Sequence, residues 1–119
     1  NKVVLSNVLI GEVWLVSGQS NMEWTAGAGI EGGEAEIAQA NYPYIRLFTV
    51  ANSSADYPQK DLNGQWQVCT PETMKQFSAV GYFFAQNINQ NLQIPIGIIN
   101  SSWGGTPAEA WTPAESIAS

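Results

Sequence analysis

Three short, mostly apolar runs limit this chain to a small number of folds. They occupy residues 13–16, 45–50 and 96–100, and each is bounded by glycine, proline or polar residues. Runs of this kind are typical of strands that are buried on both faces of a parallel sheet. A short helical pattern at 33–40 follows the first run, and a longer one at 73–91 precedes the third. The alternation predicts an α/β fold with a parallel sheet, in which ligands bind beyond the carboxyl ends of the strands.

The remaining segments are shorter and less regular. Residues 3–10 are predicted to form an incoming strand, which Gly11 separates from the first core strand. Residues 51–64 are polar and are predicted to form a long loop, and residues 66–69 are predicted to form a short strand. Residues 107–111 are expected to begin a further helical turn.

The composition narrows the class of protein. The chain has 119 residues, of which 45% are hydrophobic and 12% charged, enough apolar content for the core of one small domain. Ten acidic and four scattered basic residues give a net charge of -6, which disfavours nucleic-acid binding. The single cysteine, Cys69, excludes a disulfide within the chain. No metal-ligand spacing, signal-peptide pattern or apolar run of transmembrane length (roughly 20 residues) is visible, and we expect no metal or organic cofactor.

A serine follows the first predicted core strand in the segment Gly18-Gln19-Ser20-Asn21-Met22. Glycine allows a tight turn there, and the free N–H groups of a following helical turn can stabilise an oxyanion. Gln19 and Asn21 offer amides that can support the loop or bind a substrate. Two interpretations are open: Ser20 is a nucleophile, or the Ser/Asn segment only caps a helix and has no catalytic role.

A second unusual loop follows the third predicted core strand. The segment Ser102-Trp103-Gly104-Gly105-Thr106 places paired glycines at a strand end, where a backbone N–H can approach a ligand closely. Trp103, together with Trp111, can wall a sugar-sized pocket. The alternative is a simple turn beside two packed tryptophans. Two such loops at strand ends favour an active site.

Other candidates are weaker. The segment 27–32 matches Gly-x-Gly-x-x-Gly, but it does not directly follow a strand and its acidic residues would repel a pyrophosphate. The carboxylates closest in sequence to the two loops are Glu12, Glu23 and Glu109. One of them can orient a base or bind a hydroxyl, although a solvated surface position is expected for each.

Two long blocks carry a resemblance to a known family. Residues 11–23, Gly-Glu-Val-Trp-Leu-Val-Ser-Gly-Gln-Ser-Asn-Met-Glu, and residues 95–111, Pro-Ile-Gly-Ile-Ile-Asn-Ser-Ser-Trp-Gly-Gly-Thr-Pro-Ala-Glu-Ala-Trp, resemble the sialate O-acetylesterase family. These are carbohydrate esterases of the SGNH-hydrolase superfamily. The resemblance implies a flavodoxin-like three-layer parallel sheet, present here as a partial domain. Residues 1–10 would end a preceding β-rich segment, and 11–119 would form the N-terminal portion of the esterase domain.

The resemblance also implies roles for particular residues. Ser20 would be the nucleophile that removes O-acetyl groups from sugars, with 9-O-acetyl sialic acid as the expected substrate. Its own N–H and that of Gly104 or Gly105 would line the oxyanion hole, with Gly104 favoured. Deacetylation of another glycan such as xylan is an alternative, and so is a carbohydrate-binding module without catalysis.

The chain contains no histidine, although a serine nucleophile normally needs a base to accept its proton. In the family, a downstream Gln-Gly-Glu segment completes the oxyanion hole, and an Asp-x-x-His-like segment supplies the base and the residue that orients it. We therefore expect the chain by itself to be inactive, with the remainder of the catalytic domain as its partner. The resemblance implies a secreted, periplasmic or lysosomal protein.

Overall fold

The computed structural model describes residues 1–118, in which four strands form a single sheet. The strands are β1 (Glu12–Gly18), β2 (Tyr42–Thr49), β3 (Trp66–Cys69) and β4 (Ile96–Ser102). The helices are α1 (Ser20–Glu23), α2 (Gly33–Gln39), α3 (Pro71–Lys75), α4 (Ala79–Leu92) and α5 (Ala114–Ile117), with 3-10 turns at Ala26–Ala28 and Ala108–Trp111. The three apolar runs are thus strands, and the predicted α/β class is confirmed.

The strand order places the two unusual loops side by side. The order is β1-β4-β2-β3, and both β1 and β2 run parallel to β4. The β1–β4 register pairs Glu12 with Ile96 and Gly18 with Ser102, so these strands end together at their carboxyl ends. Strand β3 is antiparallel to β2, which departs from the all-parallel expectation. The segment between β2 and β3 contains no crossover helix, so the chain returns beside β2 in the opposite direction.

One face of the sheet forms the core with α3 and α4. Alternate strand residues point to this face and are buried, namely Val16, Ile45, Leu47, Ile96 and Ile98. They pack with Phe77, Met74 and Tyr82 from the helical side. On the opposite face, Val13 and Leu15 are 62% and 65% exposed. The described residues therefore supply two layers of the expected three, as a partial domain does.

The predicted helix at 73–91 is interrupted. Helix α3 begins earlier, because Pro71 follows a capping box in which Thr70 and Thr73 bond to one another's backbone N–H. Helix α4 then begins after Ser78, whose Oγ accepts the N–H of Gly81 at 3.0 Å. Two capping residues within nine positions explain why the apolar period does not produce one continuous helix.

The predicted strand at 3–10 is wrong for the described structure. Residues 1–10 contain no strand, and Val3, Val4 and Leu5 are exposed, because no neighbouring strand within residues 1–118 pairs with them. The break at Gly11 has a steric reason. A Cβ at this position would collide with the carbonyl oxygen of Pro95, beside which β1 begins.

Candidate active site

The turn from β1 into α1 presents Ser20 at the end of the sheet. Gly18 has φ +137°, a backbone conformation that residues other than glycine rarely adopt. Ser20 is the first residue of α1 and is exposed. Its N–H has no acceptor within residues 1–118, as expected for the first turn of a helix. The serine therefore combines an accessible hydroxyl with an available backbone donor.

The amides predicted around Ser20 differ in their contacts. The Ser20 hydroxyl donates to Gln19 Oε1 over 3.5 Å, which is a long hydrogen bond. The carbonyl oxygen of Gln19 accepts the N–H groups of Met22 and Glu23, each at 3.0 Å, and so closes the turn. Asn21 is exposed, and its side chain has no hydrogen-bond partner in the described part of the chain. The Gln19 main chain thus closes the turn, whereas the Asn21 side chain is exposed.

The second loop lies directly against the first. The N–H of Trp103 donates to the carbonyl oxygen of Gly18 at 3.0 Å. The next N–H, that of Gly104, donates to Glu23 Oε2 at 2.6 Å. A Cβ built on Gly104 would lie 3.6 Å from Ser20 Oγ, so Gly104 and the serine hydroxyl are neighbours. The structure therefore brings together two segments that lie more than 80 positions apart in the sequence.

The two glycines have different surroundings. A Cβ on Gly104 would lie 2.5 Å from Glu23 Oε2, so a larger residue at this position would displace the Glu23 carboxylate. Gly105 has φ +77° and open space where its Cβ would be. Its N–H is without an acceptor among residues 1–118.

The surface position expected for Glu23 is wrong. Its carboxylate is half-buried between the two loops and binds Gly104. The sequence signal for this position is the spacing of Glu23 from Ser20, because residues three apart on a helical turn share one face. Glu12 lies at the opposite end of β1, exposed and bonded to Trp14 Nε1, and Glu109 is exposed in a 3-10 turn.

The tryptophans of the second loop are joined through Thr106. Thr106 Oγ1 donates to the carbonyl oxygen of Trp103 at 2.6 Å and accepts from Trp111 Nε1 at 2.8 Å. Trp103 and Trp111 are each 39% exposed. The Trp111 indole and the Trp103 main chain are thus joined through one threonine, and both tryptophans keep part of their surface open to solvent.

Polar side chains beneath the two loops make contacts that no sequence pattern indicated. At the end of β4, Ser102 Oγ donates to Asn100 Oδ1 at 2.7 Å, and both residues are 6% exposed. Met22 of α1 contacts Ser78 at the start of α4, with 3.6 Å between Ser78 Oγ and the sulfur. These contacts support the strand end and the serine turn from below.

The described residues contain neither a group suited to bind a metal ion nor a membrane-spanning helix. No group of three or more His, Cys, Asp or Glu side chains in residues 1–118 is arranged to hold a metal ion. No helix in that part of the chain is long and apolar enough to cross a membrane.

Comparison with known proteins identifies the family. The family model "Carbohydrate esterase, sialic acid-specific acetylesterase" matches residues 10–118. The sialate O-acetylesterases of Pongo abelii and Homo sapiens are each 40% identical over 93% of this chain, which corresponds to 23% of their own length. A solved structure of a carbohydrate acetylesterase from Xanthomonas citri superposes with a TM-score of 0.85 at 44% identity, over 89% of this chain and 24% of that one. The chain therefore belongs to the sialic acid-specific acetylesterase family of carbohydrate esterases, and it spans about a quarter of the length of these relatives.

Proposed function

We propose that this chain carries the nucleophile of a carbohydrate esterase that removes O-acetyl groups from sugars. One observation carries the proposal: Ser20 opens α1 at the end of β1, and Gly104 of the second loop lies beside its hydroxyl. Backbone N–H groups at a helix start and a glycine loop are the donors that acyl transfer requires near a serine. Family membership supports the same chemistry.

In the proposed reaction, Ser20 Oγ attacks the acetyl carbonyl carbon and gives its proton to a histidine base. The tetrahedral oxyanion accepts hydrogen bonds from the Ser20 N–H and from a glycine N–H of the second loop. The ester C–O bond then breaks, and the sugar hydroxyl leaves with the proton from the histidine. Water, deprotonated by the same histidine, attacks the acetyl-serine, releases acetate and restores Ser20.

The base belongs to the part of the protein that this chain does not include. The chain has no histidine, and its match covers 23% of the length of the sialate O-acetylesterases it resembles. We therefore propose that the remainder of the catalytic domain supplies the histidine and the aspartate that orients it. A secreted, periplasmic or lysosomal location is part of this proposal.

The proposed substrate is a 9-O-acetylated sialic acid. The mammalian relatives are named for sialate, whereas the bacterial structure is named for carbohydrate acetyl esters in general. The relatives thus support the acetyl ester bond more strongly than the sugar. The exposed faces of Trp103 and Trp111 are suited to stack against a sugar ring.

The test uses the full-length protein and a fluorophosphonate probe. We expect the probe to label Ser20, and Ser20→Ala to abolish both labelling and acetate release from O-acetylated sialic acid. Ser17→Ala is the matched control, because Ser17 lies on the same strand but in the pleat position opposite that of Val16. Wild-type turnover by Ser20→Ala would contradict the proposal, and tight sugar binding without turnover in the wild type would favour a binding module.

A second measurement concerns the chain alone. We expect it to hydrolyse p-nitrophenyl acetate no faster than its Ser20→Ala variant, since it lacks a histidine base. Serine-dependent hydrolysis well above that background would contradict the proposed division of the active site.

A further inference from the structure

We infer that Glu23 is a positioning residue, whose carboxylate fixes the glycine loop at the distance from Ser20 that acyl transfer requires. The inference rests on the proposed function and adds a residue to it. Its basis is the contact between Glu23 Oε2 and the Gly104 N–H at 2.6 Å, the shortest link described between the side chains of α1 and the second loop.

The contact is a charge-assisted hydrogen bond in a half-buried setting. Glu23 and Gly104 are both partly shielded from water, so the ionised acceptor binds the N–H more strongly than a neutral group on the surface would. Among the hydrogen bonds of residues 1–118, the other link between the glycine loop and the serine turn is that of the Trp103 N–H to the Gly18 carbonyl oxygen. The carboxylate thus provides the second of two consecutive backbone attachments.

The geometry of α1 explains why the acid stands at position 23. Ser20 and Glu23 are three residues apart, at the two ends of a single helical turn. Side chains with that spacing lie on one face, so the acid reaches the same loop that the serine faces. A carboxylate one position earlier or later on this turn would point away from Gly104.

The contact also distinguishes the two glycines. The Gly104 N–H is engaged by Glu23, whereas the N–H groups of Ser20 and Gly105 are available within the described residues. A group that holds Gly104 in place therefore fixes the position of the adjacent Gly105 N–H as well. Of the two glycines, Gly105 is therefore the one whose N–H has no acceptor among residues 1–118.

Three substitutions in the full-length enzyme test the inference. We expect Glu23→Ala to lower kcat for acetyl ester hydrolysis by about 10- to 100-fold, with KM changed less than about 3-fold, because a displaced donor loop affects the transition state more than substrate binding. Glu23→Gln keeps an oxygen that accepts the Gly104 N–H, and it should restore kcat to within about 5-fold of wild type. Glu23→Asp is too short by one methylene and should behave like Glu23→Ala.

Glu31→Ala is the matched control, since it removes an exposed acid from the same half of the chain and should leave kcat unchanged. A wild-type kcat in Glu23→Ala would overturn the inference. A raised kcat would also overturn it, because it would mean that the carboxylate hinders the reaction. A rise in KM at constant kcat, or equal losses in the Gln and Ala variants at unchanged Tm, would also overturn it.

A double-mutant cycle examines the contact itself. The backbone of Gly104 is not in the left-handed region, so the cost of Gly104→Ala comes from the Cβ that would press on the Glu23 carboxylate. We expect this substitution to lower kcat in the wild type and to add little in the Glu23→Ala background. Full additivity of the two effects would contradict the assigned contact.

Hydrogen exchange separates a failure of the inference from a failure of the proposed function. Residues 103–106 should exchange their amide hydrogens faster in Glu23→Ala than in wild type, whether or not Ser20 is the nucleophile. If Ser20→Ala retains activity, the proposed function fails, and the exchange result still tests the contact. If Ser20→Ala is inactive while Glu23→Ala shows wild-type exchange and kcat, only the inference fails.

Discussion

The N–H of Trp103 donates to the carbonyl oxygen of Gly18 at 3.0 Å, one step beyond the last paired residues of β1 and β4. This bond extends the parallel pairing into the two loops, so both loops leave the sheet from a common point. It explains how a serine near the start of the chain and a glycine near its end become neighbours. The sheet register brings the two segments to the same end of the sheet, where Glu23 bonds to Gly104.

Gly18 is the residue on which this geometry depends most directly. Its φ of +137° is unfavourable for alanine, while the nearest atom to a new Cβ, in Met22, would lie at an ordinary 3.6 Å. We expect Gly18→Ala to lower the free energy of unfolding by about 1–3 kcal/mol through backbone strain, and to lower kcat by moving the Ser20 turn. Denaturant titration and steady-state kinetics of the full-length enzyme measure the two effects.

Gly29→Ala is the control for this substitution. Gly29 also has a positive φ, +109°, with open space around it, but it lies outside the two loops. The Gly29→Ala enzyme should have a lower free energy of unfolding and an unchanged kcat. Wild-type kcat in Gly18→Ala under conditions where the enzyme is folded would contradict the role of the turn.

Ser78 links the start of α4 to the serine turn. Its hydroxyl is completely buried and accepts the Gly81 N–H at 3.0 Å as the cap of α4. We expect Ser78→Ala to lower the free energy of unfolding by about 0.5–2 kcal/mol, the usual cost of removing such a cap. Ser53→Ala, in the exposed loop, should change it by less than about 0.5 kcal/mol. Equal effects of the two substitutions would contradict the capping role.

The uncovered face of the sheet predicts how the chain behaves alone. Val13 and Leu15 are more than half exposed on a face that also presents Trp66 and Phe48, in edge contact at 5.3 Å. An apolar sheet face beside an open edge strand favours association. We expect the chain alone to self-associate in sedimentation experiments and to bind a hydrophobic dye.

Leu15→Lys should weaken that association, because it places a charge on the sheet face. Val3→Lys should have little effect, since Val3 is even more exposed but lies outside the sheet. A monodisperse monomer that unfolds cooperatively would contradict the prediction.

The buried Cys69 thiol makes the stability of the fold decrease at alkaline pH. Burial raises its pKa from 9.0 to about 11, against a smaller lowering by a hydrogen bond with the Tyr42 backbone. The folded state therefore binds the proton more tightly than the unfolded state, and this contribution to stability is present below pH 9 and is lost as pH rises towards 11. Burial also raises the pKa of Tyr82, so part of the alkaline loss belongs to that residue.

Cys69→Ala isolates the thiol contribution. We expect the free energy of unfolding of the variant to fall less steeply between pH 9 and 11 than that of the wild type. A thiol reagent at pH 8 should modify Cys69 only after denaturation, because the thiol is completely buried. Rapid modification of the folded protein, or identical pH slopes, would contradict the assignment.

Much of the fold could be predicted from local pattern. The three apolar runs and the glycine, proline and serine residues that bound them indicated the strands and the parallel α/β class. The position of Ser20 after the first core strand also followed from the sequence, since a nucleophile or cap at that point depends only on neighbouring residues. Local competition explains one error: the caps at Thr70 and Ser78 divide one apolar helical pattern into two helices.

The sequence by itself determined the strand segments, the serine turn, the glycine loop and, through the two long blocks, the family. Only the tertiary structure decided that Glu23 contacts Gly104, that β3 runs antiparallel, and that residues 3–10 form no strand. The physical reason is that these features depend on which strand lies beside which. Pairing partners are set by sheet register, which no local pattern encodes, and the spacing of Ser20 and Glu23 indicates a shared face but not the loop that the carboxylate contacts.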